Sequence, residues 1–139
     1  MTENLNVFFK ENNTKIENVE YIVSNRFKDN KGNPIKWKIK ILSTGEMNNL
    51  REHYTTQKLT KGILVPTIDN NNYMKAFITK CIVYPNLNDK ALQDSYNVYE
   101  PYELLEEMLT VGEFNNLVGY ITDLHDYNAQ EVVDDIKKG

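Results

Sequence analysis

The residues best suited to catalysis or metal binding are two histidines and one cysteine. His53, His125 and Cys81 are far apart in the chain, and no His-x-x-His, His-Glu-x-x-His or Cys-x-x-Cys spacing brings two of them together around a metal. We therefore interpret the histidines as surface or partly packed helix residues. Cys81 lies between Lys80 and Ile82 on an apolar stripe, where a free cysteine is typically a small core residue and not a nucleophile.

Acidic runs and glycines complete the inventory of groups that could do chemistry. Glu103, Glu106–Glu107 and Asp134–Asp135 could form an acid/base pair or bind a hard cation, but they lie opposite apolar stripes, as solvated helix faces do. The six glycines never form Gly-x-Gly-x-x-Gly or a P-loop. We predict no catalytic residue, no metal site and no cofactor, and hence a protein that is not an enzyme.

A row of lysines offers one possible contact with nucleic acid. Lys36, Lys38 and Lys40 alternate with Trp37 and Ile39, so they share one face of a strand. Such a row can touch a phosphate backbone, or it can keep an edge strand soluble by blocking edge-to-edge pairing. We favour the edge-strand interpretation and predict no nucleic-acid partner, because the chain as a whole is acidic, with a net charge of −4.

Length, charge and cysteine content indicate the number of domains, the kind of partner and the cellular compartment. The chain has 139 residues, 40% of them hydrophobic, which fits one domain spanning residues 1–139. Residues 1–61 have a net charge of +4 and residues 62–139 one of −8, so the two parts can face different partners or each other in a homo-oligomer. We expect no secretory signal, no membrane span and, with a single cysteine, a reducing cytoplasm.

The first part of the chain predicts a short helix and a β-hairpin. Leu5, Phe8 and Phe9 have helical spacing. Residues 19–24 and 35–41 then read as antiparallel strands that flank a turn containing Gly32 and Pro34. Because a lone hairpin is marginal in water, we expect its apolar face to be covered by helices or by another subunit.

The second part, residues 43–139, reads as mostly helical. Capping boxes at residues 43–46 and 110–113 each start a helix, the first running over 44–55. Residues 56–72 are interpreted as a connection in which 63–65 form either a short strand or a buried loop. Four further helices are predicted. An apolar stripe at Tyr73, Ala76, Phe77, Cys81 and Tyr84 indicates the first, and the second runs from Asn88 to Leu92. The third begins at Pro101, and the fourth begins at Asn128 or Glu131 and contains Val132, Val133 and Ile136. The predicted fold class is α+β, an N-terminal antiparallel β-hairpin packed on a mainly helical C-terminal half.

Four segments of the chain resemble a known family. They are residues 17–29 (ENVEYIVSNRFKD), 32–37 (GNPIKW), 84–96 (YPNLNDKALQDSY) and 104–114 (LLEEMLTVGEF). They look like the XkdN-like tail assembly chaperones of phages and prophages of Gram-positive bacteria, and residues 85–89 with 92–96 are the most specific part. The family often has proline where Val111 stands and glycine where Asn97 stands, departures that alter local caps and turns.

The resemblance implies a non-enzymatic role in tail assembly. Such a protein binds the long, aggregation-prone tape measure protein in the cytoplasm of the bacterial host and hands it to polymerising tail tube subunits, the second possible partner. The alternative is a structural tail component, such as a tube, terminator or baseplate-associated subunit, that stays in the particle.

An assembly chaperone needs apolar helix faces or grooves that can hold a client helix. The best candidates are the apolar faces of residues 101–109 and 113–124, flanked by acidic residues that could select clients by charge. The candidate partner-binding residues are Leu104, Leu105, Met108, Leu109, Phe114, Leu117, Val118 and Ile121. For most of them the competing interpretation is intramolecular core, so only members exposed at the surface would bind a partner.

Overall fold

The protein, described by a computed structural model over residues 5–12 and 16–126, has the predicted α+β fold. The strands and helices of these ranges are β1 (Val19–Tyr21), β2 (Trp37–Ile39), α1 (Thr44–His53), β3 (Thr55–Thr60), β4 (Ile63–Ile68), α2 (Asn70–Cys81), β5 (Ile82–Tyr84), α3 (Lys90–Ser95), α4 (Pro101–Met108) and α5 (Val111–Leu124). The helix predicted from Asn128 or Glu131 lies outside the described residues.

The predicted N-terminal hairpin is confirmed, with shorter strands. Strand β1 pairs antiparallel with β2, Tyr21 lying opposite Trp37, and an isolated bridge joins Lys28 to Pro34 in the long connection. Strand β5 pairs with the other side of β2, so the sheet order is β1-β2-β5. The interpretation of the lysine strand as an edge strand is therefore wrong, because β2 is central and both of its edges are paired.

One hydrophobic cluster holds the sheet and the helices together. Trp37 and Ile39 on β2 are almost completely buried, as is Phe77 on α2. The rings of Tyr21 on β1 and Tyr120 on α5 stack with centroids 4.1 Å apart. Burial of each such side chain contributes about 1.5–3 kcal/mol, so helices cover the apolar face of the sheet as predicted.

Both predicted capping boxes are present. In α1 the Ser43 hydroxyl accepts from the Glu46 amide at 3.1 Å and the Glu46 carboxylate accepts from the Ser43 amide at 3.1 Å. Helix α1 ends at His53, two residues before the predicted end, because Thr55 begins a strand. Helix α3 is capped by Asp89 rather than by Asn88, since the Asp89 carboxylate accepts from the Leu92 amide at 2.8 Å.

Helix α2 ends earlier than its apolar stripe predicts. The stripe predicts Tyr84 on the helix, but the helix stops at Cys81 and Tyr84 lies in β5, about half exposed. Helical backbone is disfavoured at the residue before a proline, here Tyr84 before Pro85. Pairing with β2 instead satisfies the backbone hydrogen-bonding groups of this segment.

The connection predicted over residues 56–72 is mostly a second antiparallel hairpin. Strands β3 and β4 pair in continuous register from Thr55–Ile68 to Thr60–Ile63. Residues 63–65 are thus in a strand, the first of the two alternatives, and they are exposed. Residues 56–60, predicted as connection, are strand as well.

The predicted opening helix is replaced by two 3₁₀ turns, Leu5–Phe8 and Lys10–Asn12. Neither turn buries a side chain. Because helices in proteins gain most of their stability by packing an apolar face, a short segment without such packing does not form a regular α-helix here.

Candidate partner-binding surfaces

The structure places the predicted partner-binding residues mainly in the core. Seven of the eight are buried, and five of these have no exposed surface. Phe114 is half-buried, with its ring edge-to-face against Tyr102 at 5.8 Å. The buried seven hold α4 and α5 against the rest of the domain, so Phe114 is the only one of the eight with substantial accessible surface.

Helices α4 and α5 are fixed at the corner between them. Helix α5 begins with a capping box in which the Thr110 hydroxyl accepts from the Glu113 amide at 3.2 Å and the Glu113 carboxylate accepts from the Thr110 amide at 2.9 Å. Arg26, from the connection between β1 and β2, donates to both Glu113 oxygens, at 2.5 and 3.3 Å, and to the Met108 carbonyl at 2.7 Å. One guanidinium therefore joins the N-terminal part of the chain to the ends of two helices.

The same contacts set the charge state of Glu113. The hydrogen bond from Arg26 is the largest of the causes that lower the pKa of Glu113 to about 2, followed by those from Ser24 and the Thr110 amide. Hydrogen bonds to the ionised form stabilise it. Glu113 is thus a structural carboxylate and not a proton donor near neutral pH.

His125 and Cys81 are also structural. The Leu42 amide donates to Nε2 of His125 at 2.9 Å, and Nδ1 lies 2.8 Å from the Ile121 carbonyl. Because a backbone amide can only donate, Nε2 must accept, and Nδ1 carries the hydrogen that Ile121 receives. Cys81 is fully buried, as predicted, and this burial raises the pKa of its thiol to about 12.

Neither histidine takes part in a metal-binding cluster within residues 5–12 and 16–126, where no three His, Cys, Asp or Glu side chains come together. His53 is exposed, with its ring edge-on to Tyr54. In the same ranges, no helix is both long enough and apolar enough to cross a lipid bilayer.

The lysine row is used partly for ion pairs within the chain. Lys40 contacts Glu46 of the first capping box at 2.6 Å, and Lys36 lies 3.8 Å from Glu20 on the neighbouring strand. Lys38 is exposed opposite the buried face. Lys36 and Lys40 therefore each have a carboxylate partner within the chain.

The β3–β4 hairpin is an exposed apolar surface that the sequence interpretation missed. Leu59, Ile63 and Leu64 are 72%, 66% and 64% exposed. The turn residues Lys61 and Gly62 both have positive φ, 52° and 79°, as a type I′ hairpin turn requires. The sequence pattern that could have predicted this hairpin is two runs with β-branched residues separated by these two turn residues. The pattern is weak because β3 contains polar residues and β4 contains Pro66.

A second exposed apolar surface is formed by the two N-terminal 3₁₀ turns. Leu5, Val7 and Phe8 are each more than half exposed, Phe8 by 77%. Contiguous exposed apolar side chains are typical of interaction sites. The candidate surfaces are therefore these turns and the β3–β4 hairpin, and not the buried faces of α4 and α5.

Comparison with known proteins decides the family. The sequence profile for the phage XkdN-like tail assembly chaperone protein, TAC, matches residues 5–137 of the 139. The chain belongs to this family. The resemblance found in the sequence is thereby confirmed.

Relatives of this XkdN-like chaperone occur in Bacillus subtilis strain 168. The uncharacterized protein YqbN is 28% identical over 126 residues, which cover 89% of this chain and 85% of YqbN. The phage-like element PBSX protein XkdN is 27% identical over 135 residues, or 91% of each chain. The crystal structure of YqbN has the same fold, with a TM-score of 0.76 and 23% identity, covering 92% of this chain and all of that one.

Proposed function

We propose that this member of the XkdN-like family is a non-enzymatic tail assembly chaperone that binds the tape measure protein in the cytoplasm of its bacterial host. In this proposal it keeps that protein soluble until tail tube subunits assemble around it. The observation that carries the proposal is the family match over residues 5–137.

The surface of the protein supports a binding role. Apolar side chains of the N-terminal turns and the β3–β4 hairpin are exposed in a chain whose net charge is −4. Apolar patches can contact an aggregation-prone client, and net charge keeps the complex soluble. The reactive side chains support a non-enzymatic role, because Cys81 is buried and Glu113 and His125 are occupied by structural hydrogen bonds.

Co-expression with the tape measure protein of the same tail gene cluster tests the proposal. We expect more soluble tape measure protein with the chain than without it, and a complex of defined mass by light scattering after affinity purification. Equal solubility with and without the chain would contradict the proposal. Stoichiometric amounts of the chain in purified tails would favour the structural-component alternative.

A matched pair of variants tests whether the N-terminal turns contact the client. Phe8→Ser removes an exposed aromatic ring, whereas Lys10→Ser removes an exposed charged side chain from the next turn. We expect Phe8→Ser to lower the yield of soluble client and Lys10→Ser to leave it unchanged, with no change in the folding of either variant.

A further inference from the structure

The β3–β4 hairpin is exposed on both faces over nearly its whole length. Cross-strand partners share a face, so the register puts Lys58 and Ile63 on one face with Val65, and Leu59 and Leu64 on the other. A two-stranded hairpin is marginal in water without a covering partner. A surface that binds this hairpin would therefore stabilise it.

The edges of the hairpin do not favour pairing with another strand. Lys58 lies in the middle of β3, and Pro66 lies in β4 and has no N–H to donate. Lysine and proline are common devices against edge-to-edge pairing. A partner is thus expected to pack on a face of the hairpin.

Charge indicates what that partner is. The hairpin, residues 55–68, contains two lysines and no carboxylate, whereas residues 91–126 contain eight Asp or Glu and no Lys or Arg. Opposite potentials of this kind favour association and set its orientation.

The acidic residues of α4 form a coherent surface. Glu103, Glu106 and Glu107 are exposed and follow i, i+3, i+4 spacing, and none of them is in an ion pair within the described residues. Exposed apolar side chains flank the helix, Tyr99 (83%) before its start and Val111 (78%) after its end. We call these five residues the α4 acidic face.

We propose that the chain self-associates head to tail, with the Lys58–Ile63–Val65 face of one hairpin docked on the α4 acidic face of a second copy. Lys58 and the turn residue Lys61 contact the carboxylates, and Ile63 and Val65 pack near Tyr99 or Val111. A six-residue strand is about 20 Å long and α4 is about 12 Å long, so one hairpin can cover the helix.

This geometry has a consequence for assembly size. The hairpin face and the α4 acidic face are different parts of the chain, so each copy can use both at once to contact two other copies. Such a contact forms rings or open chains rather than only a two-fold dimer. Self-association should therefore grow with concentration and weaken with added salt.

Light scattering and sedimentation of the purified chain over a range of concentrations test the proposal, independently of any client. Lys58→Glu with Lys61→Glu should weaken association at least about tenfold. Lys28→Glu with Lys31→Glu, which reverses two exposed lysines between β1 and β2, is the matched control and should behave as wild type.

Two further experiments separate a docked hairpin from general electrostatic attraction. Mixing the Lys58→Glu, Lys61→Glu chain with a Glu106→Lys, Glu107→Lys chain should restore association that neither has alone. Ile63→Ser should weaken association about tenfold and Leu64→Ser less than about twofold, because these equally exposed neighbours lie on opposite faces.

A chain that stays monomeric at millimolar concentration and low salt would overturn the proposal. So would charge-reversed chains that fail to associate when mixed although each is folded. Equal effects of Ile63→Ser and Leu64→Ser would contradict the proposed docking face.

Discussion

Replacing His125 by phenylalanine should destabilise the fold through two lost hydrogen bonds. The ring bridges the end of α5 and the segment after β2, accepting from the Leu42 amide at 2.9 Å and donating to the Ile121 carbonyl at 2.8 Å. It also packs edge-on against Phe77, with centroids 5.0 Å apart. Phenylalanine can keep the ring contact but can neither accept nor donate.

The expected cost follows from the groups left behind. Leu42 is 7% exposed, and an amide left without its acceptor costs about 1–3 kcal/mol. Loss of the bond to Ile121 adds about 0.5–1.5 kcal/mol. The total of about 1.5–4.5 kcal/mol is a large part of the 5–15 kcal/mol typical of a domain, and at about 3 °C per kcal/mol it lowers Tm by about 5–14 °C.

Urea denaturation and calorimetry of wild type and His125→Phe measure the effect, with His53→Phe as the control. His53 is exposed and its ring lies edge-on to the neighbouring Tyr54, so its replacement should change stability by less than about 0.5 kcal/mol. A His125→Phe variant as stable as that control would refute the reasoning, since water would then satisfy the Leu42 amide equally well.

Three other predictions follow from the core and the Arg26–Glu113 contact. The pKa of Glu113 is about 2 in the folded protein and 4.5 ordinarily, so the stabilising effect of this carboxylate is complete above pH 4.5 and is lost as pH falls towards 2. The Tm difference between wild type and Glu113→Gln should therefore shrink over this pH range. A Tm difference that stays constant would contradict this prediction. Leu117→Ala, at a fully buried position, should cost about 2–5 kcal/mol in urea denaturation, whereas the exposed Leu64→Ser should cost less than about 0.5 kcal/mol. The buried Cys81 thiol, with a pKa of about 12, should react with a thiol reagent only after unfolding, and rapid labelling of the native protein would disprove its burial.

Local signals in the sequence were sufficient for much of the fold. Both capping boxes and the proline that starts α4 depend on residues close together in the chain. Such features follow from hydrogen-bonding and backbone preferences of a few neighbouring side chains. The family resemblance likewise rests on short segments and needed no structure.

Tertiary contacts decided what local patterns left open. The lysine strand became central because β5, which reads locally as the end of a helix, pairs with its other edge. Apolar side chains of α4 and α5 have the same pattern whether they bind a client or form the core, and only the packing around them shows that seven of the eight are buried.

The sequence alone therefore determined the fold class, the capped starts of α1 and α5, the proline start of α4 and the family. The structure showed which apolar surfaces remain accessible. They lie on the N-terminal turns and the β3–β4 hairpin, and not on the apolar faces of α4 and α5. The physical reason is that exposure is a property of the whole packed chain: periodicity identifies an apolar face, but other elements determine whether that face is covered.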